Sequence, residues 1–456
     1  MSITWTLAGV TVGFLVLVWR LRRRAEMQRL ARLAQLQELE LLPVETSQTI
    51  MMSPSTSTAT FFSGCTSDAE AYFASRVAEV VAANPWLASR LERGPRGIAA
   101  YFDQGSACSS CRLEILADLS VSQRGSRYEA IVRRLEPATC APSGECVGNG
   151  RPLFRAALVP DAGEPAARFA LVLSASHSLL DGHGFYAIAN MIMCADIEVR
   201  ALNPVRRFDM PAKISTAIGG ESSLLSNPNA GFLLRFLAHA AWNAVFPATH
   251  SIGFRISKAW IADRKAEART GLHPDYVSTN DVVLSCIFNL LGARLCCQTA
   301  NFRNRVENGC EEDEVGNYEE FIGYAPENYD VPILIRRSVL KNASGAYVRS
   351  SPARSSGHLT PLMSTWEHLI SGTYAVATNW TSFKRRTSVP CGTECLHLPL
   401  FNFNASVPPS IMGALCIFRA AEGVDAVLVA GSKRFVDSVS ASPMVERWEE
   451  LDALGW

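Results

Sequence analysis

Residues 171–186, LVLSASHSLLDGHGFY, decide how this chain is read. The run from Phe169 to Ser174 is apolar and partly β-branched, the pattern of a buried strand. The pattern stops at Ser174 to Ser176, Gly182 and Gly184 permit a sharp reversal, and helical spacing resumes at Phe185. His177 and Asp181 therefore stand where a strand leaves its sheet and turns toward a helix. An imidazole and a carboxylate at such a mouth suit proton transfer in a cleft.

Outward from this point, helical spacing is predicted over 67–91, with Ser67 as N-cap and a break at Asn84-Pro85. Strands are predicted at 97–102, 128–135 and 153–159, and a helix from 185 to about 197. This alternation describes an α/β lobe. Residues 206–230 carry two prolines, a Gly-Gly pair and several serines, and read as a crossover. Beyond it, 232–246 (FLLRFLAHAAWNAVF) is nearly all apolar but holds Arg235 and His239 and is too short to span a bilayer; a core helix is the default and an interfacial helix the alternative. Thr279-Asn280-Asp281 caps a predicted helix over 282–295. Strands follow at 374–377, 414–418 and 426–430, with a closing amphipathic helix over 443–454.

The chain has 456 residues and is 48% hydrophobic, more than one compact domain usually holds, so two lobes are expected. Lys plus Arg and Asp plus Glu both number 43, and this balance argues against nucleic acid as a partner. Residues 3–19 are uncharged, about long enough to cross a bilayer, and closed by Arg20, Arg22, Arg23 and Arg24. They read as a single-pass anchor with the body on the cytoplasmic side, in a eukaryote at the endoplasmic reticulum membrane; a signal peptide would need a basic n-region and a small-residue cleavage site. The expected layout is an anchor over 1–24, a juxtamembrane helix and flexible linker over 25–60, a first lobe over 61–206, a crossover over 207–230 and a second lobe over 231–456. Thirteen scattered cysteines fit reduced, buried thiols. Cys108, Cys111, Cys140 and Cys146 could supply four zinc ligands, but the second pair is loosely spaced, and no metal is expected.

The segment His177-Ser-Leu-Leu-Asp181-Gly182 resembles the HxxxDG motif of the coenzyme A-dependent acyltransferase superfamily, which includes chloramphenicol acetyltransferases, BAHD acyltransferases, condensation domains and the wax ester synthase/diacylglycerol acyltransferase group. Segments in the expected order strengthen the resemblance: 84–90 before the motif, then 279–284, then Asn301-Phe302-Arg303-Asn304-Arg305, then Thr378-Asn379-Trp380. Two features depart from it. Ser176 stands where many members carry a second histidine, and 396–403 (LHLPLFNF) takes the approximate place of the BAHD DFGWG segment.

The resemblance implies two chloramphenicol acetyltransferase-like lobes, each a mixed sheet packed with helices, with a passage between them. It implies acyl-CoA as co-substrate, no bound cofactor, and a monomer. His177 would be general base, Thr378 and Asn379 the oxyanion donors, and Trp380 a pocket wall. Asp181 would pair with Arg303 and hold the loop, Gly182 would serve the turn, and Ser176 and His183 would touch substrate. The anchor favours a lipophilic acceptor such as a long-chain alcohol or diacylglycerol, joined to the acyl group as an ester. Two other readings are a condensation-type enzyme taking a carrier-bound thioester and an amine, and a catalytically silent binding protein. Lys384, Arg385 and Arg386 read either as contacts for coenzyme A phosphates or as a solvated loop. A metal site at His177, Asp181 and His183 lacks further ligands, and no G-x-S-x-G elbow or G-x-G-x-x-G loop is present.

Overall fold

In a computed structural model, residues 19–105, 111–122, 126–218, 229–268, 276–339 and 364–447 are described. The first half of the chain supplies β1 (Gln37–Glu40), β2 (Thr56–Ser63), β3 (Arg90–Gly94), β4 (Gly97–Phe102), β5 (Leu113–Ile115), β6 (Phe154–Pro160) and β7 (Arg168–Ala175). The second half supplies β8 (His250–Ile256), β9 (Leu295–Asn301), β10 (Glu319–Tyr324), β11 (Tyr374–Asn379), β12 (Thr393–Pro399), β13 (Met412–Ala421), β14 (Val424–Gly431) and β15 (Val445–Glu446). The result is a mixed α/β molecule in two lobes.

The apolar run around 169–174 forms β7, whose two edges pair with β2 and β6 in a sheet ordered β12-β2-β7-β6-β5 and whose side chains are buried on both faces. The helix Thr66–Ala83 packs over it through Phe73, and the Phe62 and Phe169 rings stack 5.1 Å apart beneath. The second sheet runs β10-β9-β11-β13-β14-β8-β15, and a small third one runs β1-β4-β3. One strand crosses between the halves: β12 pairs with β2 from Thr393 opposite Ser63 to Pro399 opposite Thr58. The first sheet is thus finished by a strand from the second half, and one apolar cluster runs from Phe61 and Leu173 to Leu398, Phe418 and Leu428.

Several expectations are overturned. The predicted strand 128–135 is a helix, Tyr128–Leu135, because Tyr128, Ile131, Val132 and Leu135 fall at helical spacing and bury one stripe. The expected linker is structured: Pro43–Thr46 is a 3-10 turn, Gln48–Met52 a short helix, and β2 begins at Thr56. The helix expected after the anchor is described over 19–33 and then gives way to β1, with Leu33 packed on Ala99 and Tyr101 of β4. The crossover contains the helix Met210–Ile218, while 219–228 lie outside the described residues. Ser67 is no cap, since the helix starts at Thr66 after Cys65. Ser278, not Thr279, caps the helix Thr279–Leu291, which stops at Gly292 in the left-handed region rather than at Leu295. In place of the closing helix, Val445 and Glu446 extend the sheet beside β8, and 448–456 lie outside the described residues.

The helix Ala230–Val245 is not a core helix. Phe232 packs edge-on against Tyr374, but Leu234, Trp242 and Val245 are exposed, as are Phe246 after it and Trp366 and Ile370 on the neighbouring helix Thr365–Ser371. Residues 1–18 of the anchor expected over 1–24 lie outside the described residues, and among the described residues no helix is long and apolar enough to cross a membrane. Cys108 also lies outside them. Among the described residues no metal-binding cluster occurs.

Candidate active site

His177 is the second residue after β7, and the helix Gly182–Met193 begins five residues later. The loop between them is held by backbone and hydroxyl groups. Ser176 N–H donates to the Leu153 carbonyl at 2.7 Å, and the Ser176 and Ser143 hydroxyls are 2.7 Å apart. Ser176 is therefore fully buried and shapes the loop instead of touching substrate.

Asp181 caps the helix, its Oδ1 accepting from Gly184 N–H at 2.8 Å. The same carboxylate meets Arg303 at 2.6 Å, and both side chains are buried. Arg303, on the turn after β9, also donates to the Glu314 and Gly316 carbonyls and lies over the Tyr318 ring. Burial alone would raise the Asp181 carboxyl, but the Arg303 charge and hydrogen bonds outweigh it and hold the group below the usual carboxylate range. The carboxylate thus faces Arg303 and the helix N-terminus, not the imidazole.

The imidazole is oriented by a different set of groups. His177 Nδ1 lies 2.9 Å from Asn317 Oδ1, while the Asn317 amide donates to the His177 carbonyl at 2.7 Å and to Glu45 Oε1 at 3.2 Å. Glu45 accepts in addition from Asn317 N–H and is ion-paired with Arg206 at 3.0 Å, both side chains fully buried. Because Glu45 can only accept while it is paired with Arg206, the Asn317 amide nitrogen must face it, and the amide oxygen must face His177. Nδ1 then carries the hydrogen, and the lone pair of the neutral ring lies on Nε2.

Nε2 faces Glu319, the first residue of β10, with Oε1 3.5 Å away. The two side chains are 21% and 15% exposed, so solvent reaches the pair but barely. Burial pushes the Glu319 carboxyl up to about 7, with His177 and Arg303 drawing it down and Asp181 pushing it up.

Thr378 and Asn379 end β11, at the same end of the second sheet as Asn301 and Glu319, since β9 runs parallel to β11 and Glu319 pairs with Asn301. The Asn379 amide donates to Asn280 at 2.9 Å, and its oxygen accepts from Thr381. That side chain is occupied in bracing the strand end, which leaves Thr378 as the hydroxyl at the position. Trp380 is buried against Tyr186 and Phe401, and its Nε1 would lie 3.3 Å from a Cβ placed on Gly182. Gly182 is thus needed for close approach to Trp380, not for a left-handed turn, and Trp380 clamps the loop from below. His183 packs edge-on against Phe383, with Nε2 2.9 Å from the Glu312 carbonyl, so it ties down the 311–314 loop. Lys384 is buried and paired with Glu394 of β12 at 2.8 Å, neither a phosphate contact nor a solvated side chain.

Glu45, Arg206, Asn317 and Glu319 were not singled out from the sequence. His397, also buried, is bonded to Thr60 and Tyr186, and burial with the Lys384 charge holds it well below the usual range, so it is a neutral core group. None of the site residues lines the cavity formed by Glu129, Arg133, His250 and Asn402.

No family model matches this sequence, and no curated protein matches it. Solved structures do match in fold. TRI101 of F. graminearum, complexed with coenzyme A and deoxynivalenol, is 13% identical with a TM-score of 0.57, covering 89% of this chain and 98% of that one. Vinorine synthase is 11% identical with a TM-score of 0.55, covering 91% and 94%. The first condensation domain of the CDA synthetase is 14% identical with a TM-score of 0.50, covering 92% and 93%. The chain shares the fold of these three proteins over about nine-tenths of its length.

Proposed function

We propose that this protein transfers an acyl group from an acyl-CoA thioester to a hydroxyl of a lipophilic small molecule, with His177 as general base. The observation that carries this reading is the fixed tautomer: Asn317 holds Nδ1–H, so Nε2 offers its lone pair at the partly open side of the ring. The acceptor oxygen attacks the thioester carbon as its proton passes to Nε2. The oxyanion that forms takes a hydrogen bond from Thr378, the C–S bond breaks, and the thiolate collects the proton from Nε2. Neither a covalent acyl-enzyme nor a metal enters this sequence.

A membrane setting belongs to the same reading: residues 3–19 would tether the body to the cytoplasmic face, and the exposed Leu234, Trp242, Phe246 and Trp366 would meet the headgroup region. The deciding experiment is His177→Ala. Free thiol released from acyl-CoA in the presence of a long-chain alcohol should fall by about a hundredfold to ten-thousandfold, while the thermal unfolding midpoint stays in place. No thiol release by the wild type above the uncatalysed rate would assign the protein to the catalytically silent class, and undiminished release by the variant would remove His177 as the base.

A further inference from the structure

The acidic neighbour of the base remains unexplained by transfer to a simple alcohol. With Nδ1–H committed to Asn317, Nε2 and Glu319 Oε1 face each other at 3.5 Å, acceptor to acceptor whenever the ring is neutral and the carboxyl ionised. Two acceptors at that distance repel unless something between them supplies hydrogen. An alcohol brings one proton: given to Nε2, it leaves the oxygen lone pairs turned toward the carboxylate. The cations nearby are spent elsewhere, Arg303 on Asp181 and two carbonyls, and Arg206 on Glu45 and the Leu179 and Val315 carbonyls. Glu319 is a mostly buried carboxyl whose one ion-pair partner among the described residues is the catalytic imidazole.

We propose that Glu319 binds a cationic nitrogen next to the hydroxyl to be acylated, so that the acceptor is a lipophilic vicinal amino alcohol. This rests on acyl transfer at His177. The hydroxyl would donate to Nε2 and the ammonium to Glu319, each at about 2.8 Å, and a gauche amino alcohol holds its oxygen and nitrogen roughly 3 Å apart, which matches the 3.5 Å between the two acceptors. The ammonium keeps its protons throughout. The C–O bond forms, the C–S bond breaks, and the hydroxyl proton travels by Nε2 to the departing thiolate, so the products are an amino ester and free coenzyme A. The ligand's charge also supplies a counter-ion for this carboxylate while the imidazole is neutral and acting as base, and a neutral acceptor cannot.

The test uses the full chain in detergent micelles, with acetyl-CoA and palmitoyl-CoA as donors and 1-octanol, octylamine and 2-amino-1-octanol as acceptors. Thiol release and product mass are followed for the wild type, Glu319→Gln and His177→Ala, each checked by its melting curve. The wild type should prefer 2-amino-1-octanol to 1-octanol by roughly 10- to 150-fold, forming the ester, and Glu319→Gln should bring that ratio close to one. Equal use of the two acceptors by the wild type overturns the assignment, as does a preference that survives Glu319→Gln, or amide formation from octylamine at the same rate. Calorimetric titration with 2-amino-1-octanol separates the assignment from the catalytic reading. Heat of binding that persists in His177→Ala and is lost in Glu319→Gln supports the Glu319 site even where no thiol is released, a result that would sink acyl transfer alone. Absence of binding in the wild type overturns the site.

Discussion

Asp181 and His177 share one loop yet belong to separate hydrogen-bond sets, and this division assigns their roles. The Asp181 carboxylate is used up on Arg303, Gly184 N–H and Tyr318 N–H, so it fastens the loop to the second lobe. Asp181→Ala leaves Arg303 buried without its counter-charge and should cost about 3 to 5 kcal/mol in denaturant unfolding. Because the Asp181 carboxyl is held below its ordinary range, the pair's contribution is complete above that range and fades as pH falls through it, so the mutant's deficit should shrink in acid. The Asp181–Arg303 pair and the position of His177 were legible because both sit in short ordered motifs. Asn317 and Glu319 were not, since neither lies near a recognisable pattern and each acts on a ring 140 or more positions away, a relation only the folded chain creates.

Among the elements, residues 43–60 show how polarity misleads. Their serines and threonines suggest a tether, yet Thr56, Thr58 and Thr60 are buried in β2, where Thr60 bonds His397 and Ser57 bonds Ser174. Hydroxyls satisfied in this way carry little penalty for burial, and composition alone does not separate them from solvated ones. Glu45, in the 3-10 turn just before, makes the sharper test. A tether residue changed to alanine should move stability by no more than about 0.5 kcal/mol, whereas Glu45→Ala strands buried Arg206 and frees Asn317, at an expected cost of about 3 to 5 kcal/mol. The same variant unlocks the Asn317 amide, so acyl transfer should also fall under conditions where the protein stays folded. Urea titration and thiol release on one preparation check both. The helix Tyr128–Leu135 carries the opposite lesson: its apolar residues at 128, 131, 132 and 135 hold the helical period openly, while its β-branched pair Ile131-Val132 suits a strand equally well.

At the scale of the molecule, two lobes were inferred from length and composition, and the chain does build two large sheets, but it does not divide into two independent folding units. β12 leaves the second half to close the first sheet on the open side of β2, Lys384 and Glu394 pair at its entrance, and Tyr128 donates to the Pro399 carbonyl at its exit. A fragment ending at residue 206 would leave β2 with an unpaired edge from Thr58 to Ser63 and expose the apolar surface that Leu396 and Leu398 cover. The site is divided in the same way: His177 and Glu45 come from before the crossover, Arg303, Asn317 and Glu319 from after it, with Arg206 at the junction. Ordering the imidazole therefore requires both halves. The expected outcome is that the isolated fragment 37–206 lacks a cooperative thermal transition and binds a hydrophobic dye, while the intact chain unfolds in one step with tryptophan fluorescence and far-ultraviolet dichroism coincident. Two separated transitions in the intact chain would mean that β12 docks late and that the first lobe holds its shape without it, and the imidazole could then be oriented only after docking.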